Sequence, residues 1–118
     1  MSALKVYAYD GCDTCRKALA FLKQRQIAHQ VIPIREQPPT LAELQAMLER
    51  YDGNLRKLFN TSGLDYKALN IKDALPGMTP KQALELLARN GRLVKRPFVV
   101  GKGIGVVGFD AAAWDKLF

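Results

Sequence analysis

Two cysteines, the only ones in the chain, stand one helical turn apart in Tyr9-Asp10-Gly11-Cys12-Asp13-Thr14-Cys15-Arg16-Lys17. A Cys-x-x-Cys pair can carry thiol–disulfide exchange: one thiolate attacks, and the other displaces the adduct and closes a disulfide. The thiolate is the nucleophile, and a free thiol of pKa about 8.5 is only a few per cent ionised near neutral pH, so the attacking cysteine needs help. The flanking elements supply it. Leu4, Val6 and Ala8 alternate within residues 3–9, the period of a strand, and Cys15, Ala18, Leu19 and Leu22 then recur at helical spacing. Cys12 is therefore expected at or just before the first helical turn, where unpaired N–H groups and the helix dipole favour an anion. The dipole is worth about 0.3–1 kcal/mol, less than one pKa unit, so direct N–H bonds and the charge of Arg16 and Lys17 must add to it. Cys12 is the expected attacking thiol. Cys15, on the same side and more buried, is the expected resolving thiol.

The size and composition set the frame for this site. At 118 residues the chain is expected to form one domain over residues 1–118, with 48% apolar and 25% charged residues, ordinary values for a globular protein. No apolar run approaches the roughly 20 residues that span a bilayer, and Met-Ser-Ala-Leu-Lys lacks a signal-peptide core, so a cytoplasmic protein without membrane association is expected. In a reducing compartment a closely spaced cysteine pair points to redox chemistry or metal before a structural staple. Zinc would need two further ligands, and His29 is the only histidine, so no metal is expected. The formal charge of +7 points to an anionic substrate or partner. The cations, among them Lys23, Arg25, Arg35, Arg56, Lys57 and Lys95, are scattered, and direct nucleic-acid binding is not expected.

Along the chain, the first helix is expected to end near Arg25 or Gln26, and residues 29–34 read as a second strand parallel to the first, at an edge because of Pro33. Thr40 with Glu43, and Thr79 and Pro80 with Gln82, spell two capping boxes. The first opens a helix with the stripe Leu41, Leu44, Met47, Leu48 and Tyr51. The second opens a helix through Leu84, Leu87 and Ala88 that stops at Gly91. Short helical pieces around Leu58 and around Tyr66 and Leu69 lie between, so residues from about 36 to 94 read as an all-helical insertion. Residues 98–100 and 104–107 form a hairpin around Gly101-Lys102-Gly103, and Asp110 caps a last helix with Ala113, Trp114 and Leu117 on one face. The glycines of that hairpin spell GxGxxG, but no dinucleotide unit follows. Ser62 and Asp65 lack a histidine for a hydrolase triad.

The order βαβ, helical insertion, ββα resembles the thioredoxin-like plan, an α/β fold with a four-stranded mixed sheet. The resemblance implies a cis Arg96–Pro97 bond lying against the Cys-x-x-Cys motif, a form that X-Pro bonds tolerate at a cost of about 0.5–1 kcal/mol. Four blocks carry a narrower resemblance: residues 9–18, Lys57-Leu58-Phe59-Asn60-Thr61-Ser62-Gly63-Leu64-Asp65-Tyr66, Leu93-Val94-Lys95-Arg96-Pro97 and Val106-Val107-Gly108-Phe109. Together they resemble the arsenate reductase (ArsC) family, which includes the Spx-type redox regulators of RNA polymerase.

In that family's reductases the catalytic cysteine matches Cys12 and three arginines hold an oxyanion. Arg96 keeps one of these positions, Asn60 stands at the middle one, and the hairpin offers only Lys102 for the third. Two missing cations, each worth about 1.5–3 kcal/mol in charge-assisted bonds, argue for a weakened arsenate site and for a broader thiol–disulfide role. The resemblance thus implies Cys12, Cys15 and Arg96 as catalytic residues and Arg16, Asn60 and Pro97 at the substrate. It implies no tightly bound cofactor, with glutathione as a co-substrate, glutaredoxin or thioredoxin as protein partners, and a small oxyanion or disulfide as substrate. The Spx branch implies instead a redox switch that binds the RNA polymerase alpha subunit.

Overall fold

The computed structural model describes residues 3–118. Four strands, β1 (Leu4–Ala8), β2 (His29–Pro33), β3 (Phe98–Gly101) and β4 (Ile104–Val107), form one mixed sheet in the order β2-β1-β3-β4. β2 runs parallel to β1, β3 antiparallel to β1, and β4 antiparallel to β3. Pro33, which has no N–H to give a ladder, is the last residue of an edge strand, as its chemistry requires. The β3–β4 turn is Lys102-Gly103, with Gly103 at φ 74°, a conformation that suits glycine.

The helices are α1 (Asp13–Gln24), α2 (Leu41–Arg50), α3 (Leu64–Ala68), α4 (Ile71–Ala74), α5 (Pro80–Arg89) and α6 (Ala111–Leu117). Both expected capping boxes are formed, Thr40 with Glu43 on α2 and Thr79 with Gln82 on α5, each oxygen taking an N–H that the first turn leaves unpaired. The segment between β2 and β3 is helical throughout its regular elements, with three 3-10 turns at Leu55–Leu58, Leu75–Gly77 and Gly91–Leu93.

β1 is buried on both faces, so alternation along it feeds two cores. Leu4, Val6 and Ala8 pack with Cys15, Ala18, Phe21 and Leu22 of α1 and with Trp114 of α6. Tyr7 faces the other way, into a larger cluster with Leu44 and Met47 of α2 and Leu84 and Leu87 of α5. Two leucines depart from the apolar stripes expected of them: Leu41 and Leu117 are exposed. Among the described residues no helix is long and apolar enough to cross a membrane.

Candidate active site

The turn after β1 delivers Cys12 to the head of α1. Its N–H donates to Tyr9 O at 3.1 Å, and Gly11 in between lies so close over the Tyr9 ring that an added Cβ would stand 2.5 Å from Cε2. Cys12 is the N-cap residue of α1, extended at φ −103° and ψ 113°, and its Sγ accepts the Cys15 N–H at 3.2 Å. A sulfur thus occupies the place usually filled by a Ser, Thr or Asp oxygen, and a thiolate there would be held by a first-turn N–H. Both cysteines are free thiols; Cys12 is partly exposed, and Cys15 is 1% exposed within the α1-side core. Burial pushes the Cys15 thiol up to about 12, its hydrogen bond with Cys12 and the nearby Cys12 charge push the same way, and hydrogen bonding from the Tyr9 backbone and the charge of Arg96 pull against them.

Arg96 and Pro97 enter from the start of β3, and the bond between them is cis, as expected. Pro97 is buried, and its carbonyl accepts the Gly108 N–H at 2.9 Å, which ties the residue before β3 to the residue after β4. Asn60 arrives from the helical segment. An isolated antiparallel bridge pairs Phe59 with Val94, with Asn60 N–H donating to Leu93 O at 2.7 Å and Lys95 N–H to Leu58 O at 2.8 Å. This short ladder brings Asn60 alongside Arg96, and both line a cavity of about 350 Å³ with Arg35, Ser62, Asp65 and Arg92.

The other sequence-selected cations go elsewhere. Arg16 forms an ion pair with Asp13 on the open surface of α1, with side chains 64% and 83% exposed, and does not line this cavity. Lys102 lines a different cavity with Gln26, Ile27 and Phe118. The cations that do gather beside Arg96 are Arg35 and Arg92, neither of which the sequence reading singled out for the site. The Arg35 guanidinium lies 3.5 Å from the Tyr9 ring centroid and that of Arg96 lies 5.3 Å from it, so the tyrosine next to the cysteine turn carries both. One signal could have found Arg35: it follows the second of two parallel strands, at the carboxyl end where α/β sheets place their ligands. Arg92 carries no such local mark. Among the described residues no group of three His, Cys, Asp or Glu side chains comes together as a metal set.

Comparison with known proteins bears on the same residues. YusI, an uncharacterized protein of Bacillus subtilis (strain 168), is 43% identical over 114 residues, covering 97% of each chain. The global transcriptional regulator Spx of Enterococcus faecalis is 30% identical over 108 residues, covering 91% of this chain and 80% of Spx. The crystal structure of a possible arsenate reductase from Streptococcus mutans UA159 superposes with a TM-score of 0.90 at 38% identity over the whole of both chains. The mixed sheet flanked by helices is therefore the thioredoxin-like fold of these relatives. The model of the ArsC family matches residues 7–117, a span that includes the cysteine turn, the Asn60 loop and Arg96-Pro97, and the chain belongs to the ArsC family.

Proposed function

We propose that this protein is an arsenate-reductase-like thiol–disulfide oxidoreductase in which Cys12 attacks and Cys15 resolves. The observation that supports this most is the pairing of a partly exposed Cys12 sulfur, held by the Cys15 N–H at 3.2 Å, with a Cys15 thiol shut away one turn further in. The Cys12 thiolate attacks a disulfide sulfur or an oxyanion; with a disulfide, a Cys12–S bond forms and the other half leaves as a thiolate, and with arsenate a Cys12 S–As bond forms as one As–O bond breaks and the oxygen leaves as water. Arg96 and the first-turn N–H groups stabilise the negative charge, and Asn60 donates a hydrogen bond. Once Cys12 is an uncharged adduct, it no longer holds the Cys15 proton in place by charge and hydrogen bonding. Burial still does, but Arg96 and the Tyr9 backbone now oppose it with less against them. Cys15 loses its proton to solvent, attacks Cys12 Sγ, and releases the second thiolate, leaving a Cys12–Cys15 disulfide. Glutathione with glutaredoxin, or thioredoxin, then returns the dithiol.

In this reading the chain acts as a single cytoplasmic domain of residues 1–118 that binds no cofactor tightly. Arsenate is a poorer candidate than a disulfide, because Asn60 stands where the family's reductases place an arginine and Lys102 lies at another cavity. Mass spectrometry after turnover tests the mechanism: the wild type should carry a Cys12–Cys15 disulfide, and Cys15→Ser a trapped Cys12 adduct. A Cys15→Ser protein with full multiple-turnover activity would remove the resolving role.

The similarity to Spx favours a second reading, a redox switch that binds RNA polymerase. Capture of the polymerase alpha subunit by the oxidised but not the reduced protein would support it, and no capture in either state would remove it.

A further inference from the structure

Arg35, Arg92 and Arg96 converge on one cavity, and among the described residues none of them belongs to an ion pair. The single carboxylate on the same wall, Asp65, accepts a hydrogen bond from Asn90 Nδ2 at 3.0 Å and leaves the three cations in excess. Arg35 is the most committed of the three. Its guanidinium lies over the Tyr9 ring, and its Nε is shut off from solvent without a hydrogen-bond partner, so that donor is unused. Arg92 is brought beside it by the approach of Gly91 to the chain leaving β2, where a Cβ on Gly91 would stand 1.8 Å from Ile34 O. Like charges held together at the rim of a protein repel, and an anion bridging them removes that repulsion.

A cavity of about 350 Å³ lies at the small-molecule end of ligand sites, which run from about 300 to 1,000 Å³. Three arginines in one cavity wall suit carboxylates, which the planar guanidinium takes in bidentate pairs. Cys12 does not itself line this cavity, but Arg35 and Arg96 lie over the Tyr9 ring, and Gly11, the neighbour of Cys12, packs against that same ring, so the cavity and the cysteine turn share one wall. We propose that Arg35 and Arg92 form, with Arg96, a recognition site for the carboxylates of an organic disulfide whose sulfur is attacked by Cys12. The inference rests on the proposed role of Cys12 and adds the class of substrate: a small disulfide bearing carboxylates, in preference to a neutral or cationic one. In the exchange the disulfide S–S bond breaks, one carboxylate-bearing half becomes bonded to Cys12 and the other leaves as a thiolate.

The test compares rate constants for oxidation of the reduced protein by dithiodipropionate, neutral hydroxyethyl disulfide and cationic cystamine. Dithiodipropionate should react fastest, and its preference over hydroxyethyl disulfide should fall about tenfold or more in Arg35→Gln and in Arg92→Gln. Arg92 is exposed, so its variant keeps the test open if Arg35→Gln does not fold. Lys72→Gln, the same charge loss on α4, should keep the preference. Equal preference in wild type and both arginine variants, with Cys12 still oxidised, overturns this site and leaves the thiol mechanism standing. A binding arm works without chemistry: thiodipropionate, the unreactive thioether, is titrated into Cys12→Ser and followed by amide chemical shifts. If no disulfide reacts with Cys12, the thiol mechanism falls, and saturable thiodipropionate binding that Arg92→Gln weakens supports the anion site alone. Absence of such binding overturns it.

Discussion

Cys15 is kept protonated by its surroundings, and those surroundings can be taken apart. Burial contributes most to raising it to about 12, and the hydrogen bond and charge of Cys12 come next among the raising causes. Cys12→Ala removes the second contribution and leaves the first. Ultraviolet thiolate absorbance against pH should then place Cys15 below its wild-type value yet above the roughly 8.5 of a free thiol. A titration unchanged by Cys12→Ala would show that the two sulfurs do not communicate, and with it the release of Cys15 on adduct formation would fail. The same shift ties stability to pH: it favours the fold at low pH and weakens it as the pH rises. The folded protein holds the Cys15 proton more tightly than the unfolded chain, so this contribution is complete below about pH 9 and is lost as the pH rises toward about 12. The Cys12–Cys15 pair could be read from the sequence because the reacting groups sit one helical turn apart and both strand and helix periodicities meet at them. Arg35 and Arg92 could not, because what unites them is a backbone approach at Gly91 between distant segments.

At the scale of elements, one carboxylate of α2 gathers three hydrogen bonds, two of them from β1. Glu43 Oε1 accepts the Tyr7 hydroxyl at 2.6 Å and the Thr40 N–H at 3.0 Å, and Oε2 accepts Lys5 Nζ at 3.0 Å. The capping-box half of this arrangement was legible, since Thr40 and Glu43 are three residues apart; the tie to β1 was not, since nothing local relates Tyr7 to Glu43. Burial pushes the Glu43 carboxyl up, but the bonds from Tyr7, the Thr40 backbone and Lys5 together hold it below the usual carboxylate range. Tyr7 is pushed above the usual phenol range by burial, and then by its bond to Glu43. A depressed carboxylate stabilises the fold above its unfolded value near 4.5 and ceases to do so as the pH falls through its lower folded value. Glu43→Ala should therefore cost about 1–3 kcal/mol in urea unfolding at neutral pH, and the gap from wild type should shrink as the carboxyl is protonated in acid. A gap independent of pH would assign the loss to packing alone. The contact between the 3-10 turn at Gly91 and the end of β2 is a second joint of this kind. Gly91→Ala would drive a methyl against the Ile34 carbonyl, a backbone atom that cannot rotate away, and should cost about 1–3 kcal/mol or more by the same measurement. Wild-type stability in Gly91→Ala would mean that the two segments can separate without loss.

Over the whole molecule, the +7 charge and the three cavity arginines both favour anions, and salt can separate them. The Debye length falls from about 30 Å in 0.01 M salt to about 3 Å at 1 M. The protein has a radius of gyration of 13.8 Å, so in dilute salt the entire positive surface acts on an approaching anion, and in concentrated salt only groups it touches do. Oxidation by dithiodipropionate should slow steeply across that range, while hydroxyethyl disulfide, with no charge to steer, should change little. The preference that survives at high salt belongs to the cavity. Arg92→Gln should lower that residue of preference and leave most of the salt slope in place, because one charge among the surface cations alters the distant field slightly and the local pocket greatly. If both disulfides respond to salt alike, the charge of the protein plays no part in choosing its substrate. If the anionic preference vanishes entirely at high salt in the wild type, steering by the overall charge accounts for it without the arginine site.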